Sequence, residues 1–295
     1  EKGGVEVVFL PVDKNGAVQL NALRESLNEN TILVSVMSAN NEVGSIQPIG
    51  EITDLIRKFK THSDTINRIG GSKHVLQEKG ELRYPLFHVD HSQGFQYLDL
   101  KPKELGIDLM TISSHKIYGP KGAGALYVQD KRLKIKDKKL GSDFIASIIT
   151  GGGQEFGFRS GTENIPAIVG FAKAVELVAS SRQQGARRTV ELRDYFWQEI
   201  KKIFPKAELN GPKITRITNP DTNTTNTSRL PNNLNIYFPG HLAEDLLIKL
   251  DMAGIAVSAG SACSARSSKP SHVLQACGFS EERIKLSLRI TLGRP

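Results

Sequence analysis

Four short apolar runs punctuate the first half of the chain: TILVSVM (31–37), LFHVD (86–90), LMTIS (109–113) and GALYV (124–128). Runs of this length, bounded by polar or glycine-containing turns, read as buried strands. Between the first two lies PIGEITDLIRKFK, where Ile49, Ile52, Leu55, Ile56 and Phe59 recur at helical spacing behind Pro48. Strands alternating with helices predict an α/β fold whose largely parallel sheet is covered on both faces. Ligands of such sheets bind beyond the carboxyl ends of the strands. Polar residues directly after the runs are therefore candidates for function: Asn40 and Asn41, Asp90 with Gln93, and His115 with Lys116.

The second half is organised differently. After the glycine-rich stretch GGGQEFGFRSGTENIP (151–166), Ile168, Ala172, Val175 and Val178 predict a helix to about Ser180, and a second helix follows over Arg187 to Ile203. LNIYF (234–238) reads as a strand, HLAEDLLIKL (241–250) as a helix and KLSLRITL (285–292) as a last strand. At ~100–200 residues per domain, 295 residues make one large domain or two ordinary ones. The expected division is a domain over 1–180 and a smaller one over 181–295. Two polar stretches, Thr61 to Tyr84 and TNPDTNTTNTSRLPNN (218–233), read as an excursion and a surface loop.

Charge raises the question of a nucleic-acid partner, since Lys and Arg exceed Asp and Glu by eight. The densest basic run, KRLKIKDKKL (131–140), has no aromatic residue to stack on bases, so a solvated loop is expected and no nucleic-acid partner. No window approaches the ~20 apolar residues of a membrane span. The two cysteines, Cys263 and Cys277, lack metal-ligand spacing and suit a reducing, cytoplasmic compartment. The opening EKGGVEVVFL carries neither Met nor a charged-then-apolar signal, from which a non-secreted fragment is expected.

The segment richest in chemistry is SSHKIYGPKGAGALYV (113–128), where Lys116 follows a Ser and a His at a strand end. Burial there would lower the pKa of its amine and free it for Schiff-base chemistry with an aldehyde cofactor. In HVDHSQ (88–93), Asp90 ends the preceding strand and Gln93 follows three residues later. Pyridoxal phosphate uses such an acid against its ring nitrogen and such an amide against its phenolic oxygen. Taken singly, Lys116 would be a solvated loop lysine and Asp90 a helix N-cap.

NNEVGSIQPI, HVDHSQ, SSHKIYGPKGAGALYV, GGGQEFGFRSGTEN and SAGSACSARSSKPSHVL occur in this order. Together they resemble the cysteine desulfurases, pyridoxal-phosphate enzymes of the class V aminotransferase group, and most of all the housekeeping branch that supplies iron-sulfur cluster assembly. The likeness runs from near residue 1 to residue 294. It implies a fold-type I transferase with a large, mostly parallel sheet domain and a smaller α+β C-terminal domain. The large domain is expected to be incomplete at its N-terminus, because the family's phosphate loop and cofactor-stacking histidine have no match here.

Residue by residue, the resemblance makes Lys116 the lysine that holds the cofactor covalently. It sets Asp90 on the pyridinium, Gln93 on the phenolic oxygen, Asn41 near cofactor and substrate, and Ser113 and His115 on the phosphate. Thr162, in RSGTEN, would reach the phosphate of a neighbouring subunit, implying a homodimer. Arg289, in LRITLGR, would grip the substrate carboxylate. Cys263, in a small-residue polar segment with Arg266 and Lys269 nearby, would take sulfur from L-cysteine, leaving alanine and an enzyme persulfide for an acceptor or iron-sulfur scaffold protein. It would serve transiently as an iron-sulfur ligand as well. Cys277 ends a predicted helix before Gly278 and is expected to be a packing residue. Selenocysteine lyase activity and a non-catalytic remnant that binds assembly partners are the alternatives.

Overall fold

A computed structural model of the protein describes residues 4–69, 84–129, 145–214, 228–260 and 270–293, with side chains of 62–69 excepted. Each of the four runs forms a strand: β1 (Leu33–Met37), β2 (Leu86–Asp90), β3 (Leu109–Ser113) and β4 (Gly124–Val128). They form one sheet in that order, β1, β2 and β3 parallel and β4 antiparallel to β3. The short connection from β3 to β4 permits only the antiparallel pairing.

Strand alternation gives the sheet two unlike faces. Val34, Val36, Phe87, Val89 and Met110 point to one side, where they pack with Leu23 of α1 (Leu20–Ser26) and with Ile49, Ile52 and Ile56 of α2 (Ile49–Ile69). Ile52 is fully buried, and its truncation to Ala would cost about 2–5 kcal/mol. The other face carries Ser35, His88 and Thr111, and it lies open at Leu33, Ser35 and Leu126, which are exposed. Among the described residues the expected two-sided cover is not seen. The polar side chains instead satisfy one another: Ser35 Oγ lies 2.8 Å from His88 Nδ1 and His88 Nε2 lies 2.8 Å from Thr111 Oγ1.

Beyond the short α3 (Pro102–Leu105), the predicted helix pair is one 39-residue helix, α4 (Ile165–Ile203), roughly 58 Å long. Asn164 caps its start, its Oδ1 accepting from Ala167 N at 3.2 Å. The expected break at 181–186 does not occur. SRQQGA holds no proline, and its single glycine is tolerated in a helix anchored at both ends: Phe171, Ala174 and Val178 pack on Ile117, while Phe196, Trp197 and Ile200 pack on the second core. The division drawn after residue 180 falls inside this helix.

The second sheet is antiparallel, β5 (Glu208–Leu209), β6 (Asn233–Tyr237) and β7 (Ser287–Thr291) in that order. It packs against α4 and α5 (Ala243–Met252), and the short helices α6 (His272–Ala276) and α7 (Glu281–Lys285) precede β7. The basic run at 131–140 lies outside the described residues, as does most of the Asn/Thr-rich stretch. The described end of that stretch is no surface loop. Arg229 is fully buried, donating to the carbonyl of Pro212 and to Asn233 Oδ1. The polar excursion likewise begins as the last turns of α2.

Candidate functional site

The carboxyl ends of β2 and β3 lie side by side, with Asp90 opposite Thr111 in register. Immediately past β3, Ser114–Ile117 form a single 3-10 turn. Because side chains three apart eclipse in such a turn, Ser114 and Ile117 point inward and are buried, while His115 and Lys116 face outward and are exposed. The burial expected of the Lys116 amine is therefore not seen; it stands at the sheet edge and forms no ion pair among the described residues. His115 Nδ1 and Ser113 Oγ are 2.8 Å apart, two hydrogen-bonding groups presented at the same edge.

Asp90 acts locally as a turn former. Its Oδ1 accepts from Ser92 N at 2.9 Å, and the residues that follow make a series of turns, not the helix for which it would be an N-cap. Its other oxygen receives no hydrogen bond among the described residues. Gln93, half-buried, sits in those turns. His88 shares the open sheet face with Asp90. Desolvation by burial holds its imidazole below the ordinary range, partly offset by the Asp90 carboxylate.

The NNEVGS turn after β1 is where the two sheets meet. Asn40 Oδ1 accepts from Glu42 N and Val43 N, shaping the turn. Asn233 Nδ2 and Asn235 Nδ2 donate to the Glu42 carbonyl at 3.1 and 3.3 Å, and Leu230 N donates to the Gly44 carbonyl at 2.7 Å. Arg289 Nη1 reaches the Asn41 carbonyl at 3.4 Å. The turn therefore brings together two of the expected substrate groups, Asn41 and Arg289, from opposite ends of the chain.

Thr162 is exposed in the stretch leading into α4 and joins no hydrogen bond to the other candidates among the described residues. Cys263, with Arg266 and Lys269, lies outside the described residues. Among the described residues no group of three or more His, Cys, Asp or Glu is placed to hold a metal, and no helix is long and apolar enough to cross a membrane. Cys277 is buried, as expected of a packing residue, and burial pushes its thiol up to about 11.

Sequence reasoning missed Glu42, Asn233, Asn235, Ser271 and Arg229: Asn233 and Asn235 reach from the second sheet to the turn after β1, Glu42 meets Ser271, and Arg229 is held by Pro212 and Asn233. Asn233 and Asn235 alternate with Leu234 and Ile236 in β6, a period-two signal that marks two inward-facing amides. Nothing in the Asn/Thr-rich stretch marks Arg229 as buried.

The class-V aminotransferase family model matches residues 1–80 and 72–293. The chain is 41% identical over 295 residues to "Cysteine desulfurase IscS 1" of Archaeoglobus fulgidus, covering all of this chain and 64% of that protein. A solved "NifS-like protein" superposes with a TM-score of 0.75 at 30% identity, over 98% of this chain and 63% of that one. A structure of "SspA in complex with cysteine" gives 0.67 at 29% identity, over 98% and 67%. The chain spans less than two thirds of the length of the curated relatives it matches.

Proposed function

The chain belongs to the class-V aminotransferase family, and from that premise we propose that it is a cysteine desulfurase. It would use pyridoxal 5'-phosphate to take sulfur from L-cysteine, giving L-alanine and a persulfide on Cys263 for an acceptor or iron-sulfur scaffold protein. The observation that carries the reading is the convergence at one sheet edge of Asp90, Ser113, His115 and Lys116, together with the meeting of Asn41 and Arg289 at the turn after β1.

The donor set fits the cofactor. Asp90 keeps one carboxylate oxygen unengaged among the described residues, as a partner for a ring nitrogen requires. The exposed amine of Lys116 is open to an aldehyde, and Ser113 and His115 supply hydrogen-bond donors to a phosphate. When bound, pyridoxal phosphate supplies an electron-withdrawing ring that acidifies the carbon next to an attached amine. Asp90 would hold a proton at the ring nitrogen, and Gln93 would donate to the phenolic oxygen. Arg289 grips the substrate carboxylate, Asn41 orients the substrate, and the Lys116 amine moves a proton at its α-carbon.

Cys263, as thiolate, accepts the sulfur: its own S–S bond forms as the substrate's C–S bond breaks, so that cysteine plus thiol becomes alanine plus persulfide. Thr162 would complete the phosphate site of a second copy in a homodimer, and the setting would be cytoplasmic. A protein of similar fold, SspA, has been solved in complex with cysteine, which supports cysteine as substrate.

The test follows both products. The intact protein with cofactor should form alanine and persulfide in equal amounts from L-cysteine. Lys116→Ala should lose the visible absorbance of lysine-bound cofactor, and Cys263→Ser should keep that band but form no persulfide. An unchanged spectrum in the Lys116 variant would sink the assignment.

A further inference from the structure

We propose that Glu42 is a positioning residue whose carboxylate ties the base of the Cys263-bearing segment to the turn that carries Asn41. The inference rests on the desulfurase reading and adds to it a residue that fixes the described positions, 258–260 and 270–271, between which Cys263 lies in sequence.

Glu42 is 1% exposed and forms no ion pair among the described residues. A buried carboxylate is costly unless hydrogen bonds compensate it. One does: Ser271 Oγ donates to Glu42 Oε2 at 2.5 Å, the length of a charge-assisted bond. The same hydroxyl accepts from Leu274 N at 3.1 Å and so caps α6.

The carboxylate is not needed to shape its own turn. Asn40 Oδ1 holds the Glu42 amide, and Asn233 and Asn235 hold its carbonyl. What the side chain adds is the link to residue 271, which is 229 positions away.

Residue 271 matters because of its place in the chain. A Cβ built on Gly260 would lie 3.8 Å from Ser271 Cβ, so positions 260 and 271 are in contact. Two residues earlier, Ser258 exchanges both main-chain hydrogen bonds with Arg289, at 2.7 and 3.1 Å. Cys263 follows Gly260 by three residues. Residue 258 therefore stands beside Arg289 and residue 271 on Glu42, while Arg289 and Glu42 both meet the turn at 41–42.

Glu42→Ala, Ser271→Ala and Glu42→Gln, made in the intact protein with cofactor, test this. Displacing a reacting group slightly is expensive, so the two Ala variants should lower kcat for alanine formation ~10-fold, with cofactor content and KM for L-cysteine within about twofold. Glu42→Gln, which keeps an accepting oxygen, should recover to within about threefold. Hydrogen exchange across 255–260 and 270–277 should quicken ~10-fold in Glu42→Ala and stay near wild type in Glu42→Gln. The turn's main-chain contacts survive all three changes, so folding is retained.

A kcat within about twofold of wild type in both Ala variants would overturn the proposal, as would a fall accompanied by lost cofactor or a raised KM. Wild-type protein that makes no alanine would instead sink the desulfurase reading, and the exchange measurement would still decide whether the Glu42–Ser271 link holds the two segment ends.

Discussion

Arg289 in the last strand of one sheet donates through Nη1 to the main-chain carbonyl of Asn41, 3.4 Å away and 248 residues earlier, just past the first strand of the other. A guanidinium in mid-strand is thus brought to the turn at the carboxyl end of the first sheet, where its planar fork suits an anionic ligand.

Replacing Arg289 with Ala should raise KM for L-cysteine ~30-fold without reducing bound cofactor, since a charge-assisted pair to a carboxylate is lost. Arg289→Lys should recover only part of this, because a point charge lacks the planar fork. Steady-state alanine formation, alongside the cofactor spectrum, reads both.

Gly44 has φ +73°, and a Cβ there would lie 2.7 Å from Asn233 Oδ1. Gly44→Ala combines a left-handed backbone with a clash at the junction of the sheets. It should lower stability by about 3 kcal/mol, seen as a reduced urea midpoint with little change in slope.

The two cysteines should react unequally. Burial raises the Cys277 thiol to about 11, so at pH 8 it is protonated as well as inaccessible. Brief iodoacetamide treatment of native protein should label Cys263 and spare Cys277, which should react only after unfolding. Cys277→Ala should leave alanine formation unchanged.

His91 is 1% exposed, its Nδ1 lies 2.8 Å from Ser38 Oγ, and desolvation lowers its pKa to about 4. The folded protein thus keeps this imidazole neutral where the unfolded chain protonates it. Well above pH 6.5 neither state binds the proton and the group contributes nothing. As pH falls from 6.5 toward 4, the unfolded state gains, so stability drops, by about 2 kcal/mol between pH 7 and pH 5. His91→Asn should flatten that portion of the stability–pH curve.

Much of the first sheet was legible because its strands are short apolar runs and α2 repeats at helical spacing behind a proline. Both are local patterns that propensity and periodicity read directly. The length of α4 was not, because SRQQGA reads as a weak helix locally and is held helical by packing at either end on two different cores. His115 and Lys116 could be assigned to a strand end, whereas their outward direction follows from the 3-10 turn that buries Ser114 and Ile117.

By itself, the sequence determined the four strands of the first sheet, the helix α2 between two of them and which polar residues follow which strand, since these are written in neighbouring residues. Tertiary structure alone decided that Asn41 meets Arg289, that Glu42 meets Ser271, that Asn233 and Asn235 reach the Glu42 carbonyl, and that Arg229 is buried. Those pairings join positions far apart in the chain, and a buried polar group finds its partner only when two independently packed sheets bring unsatisfied donors and acceptors face to face.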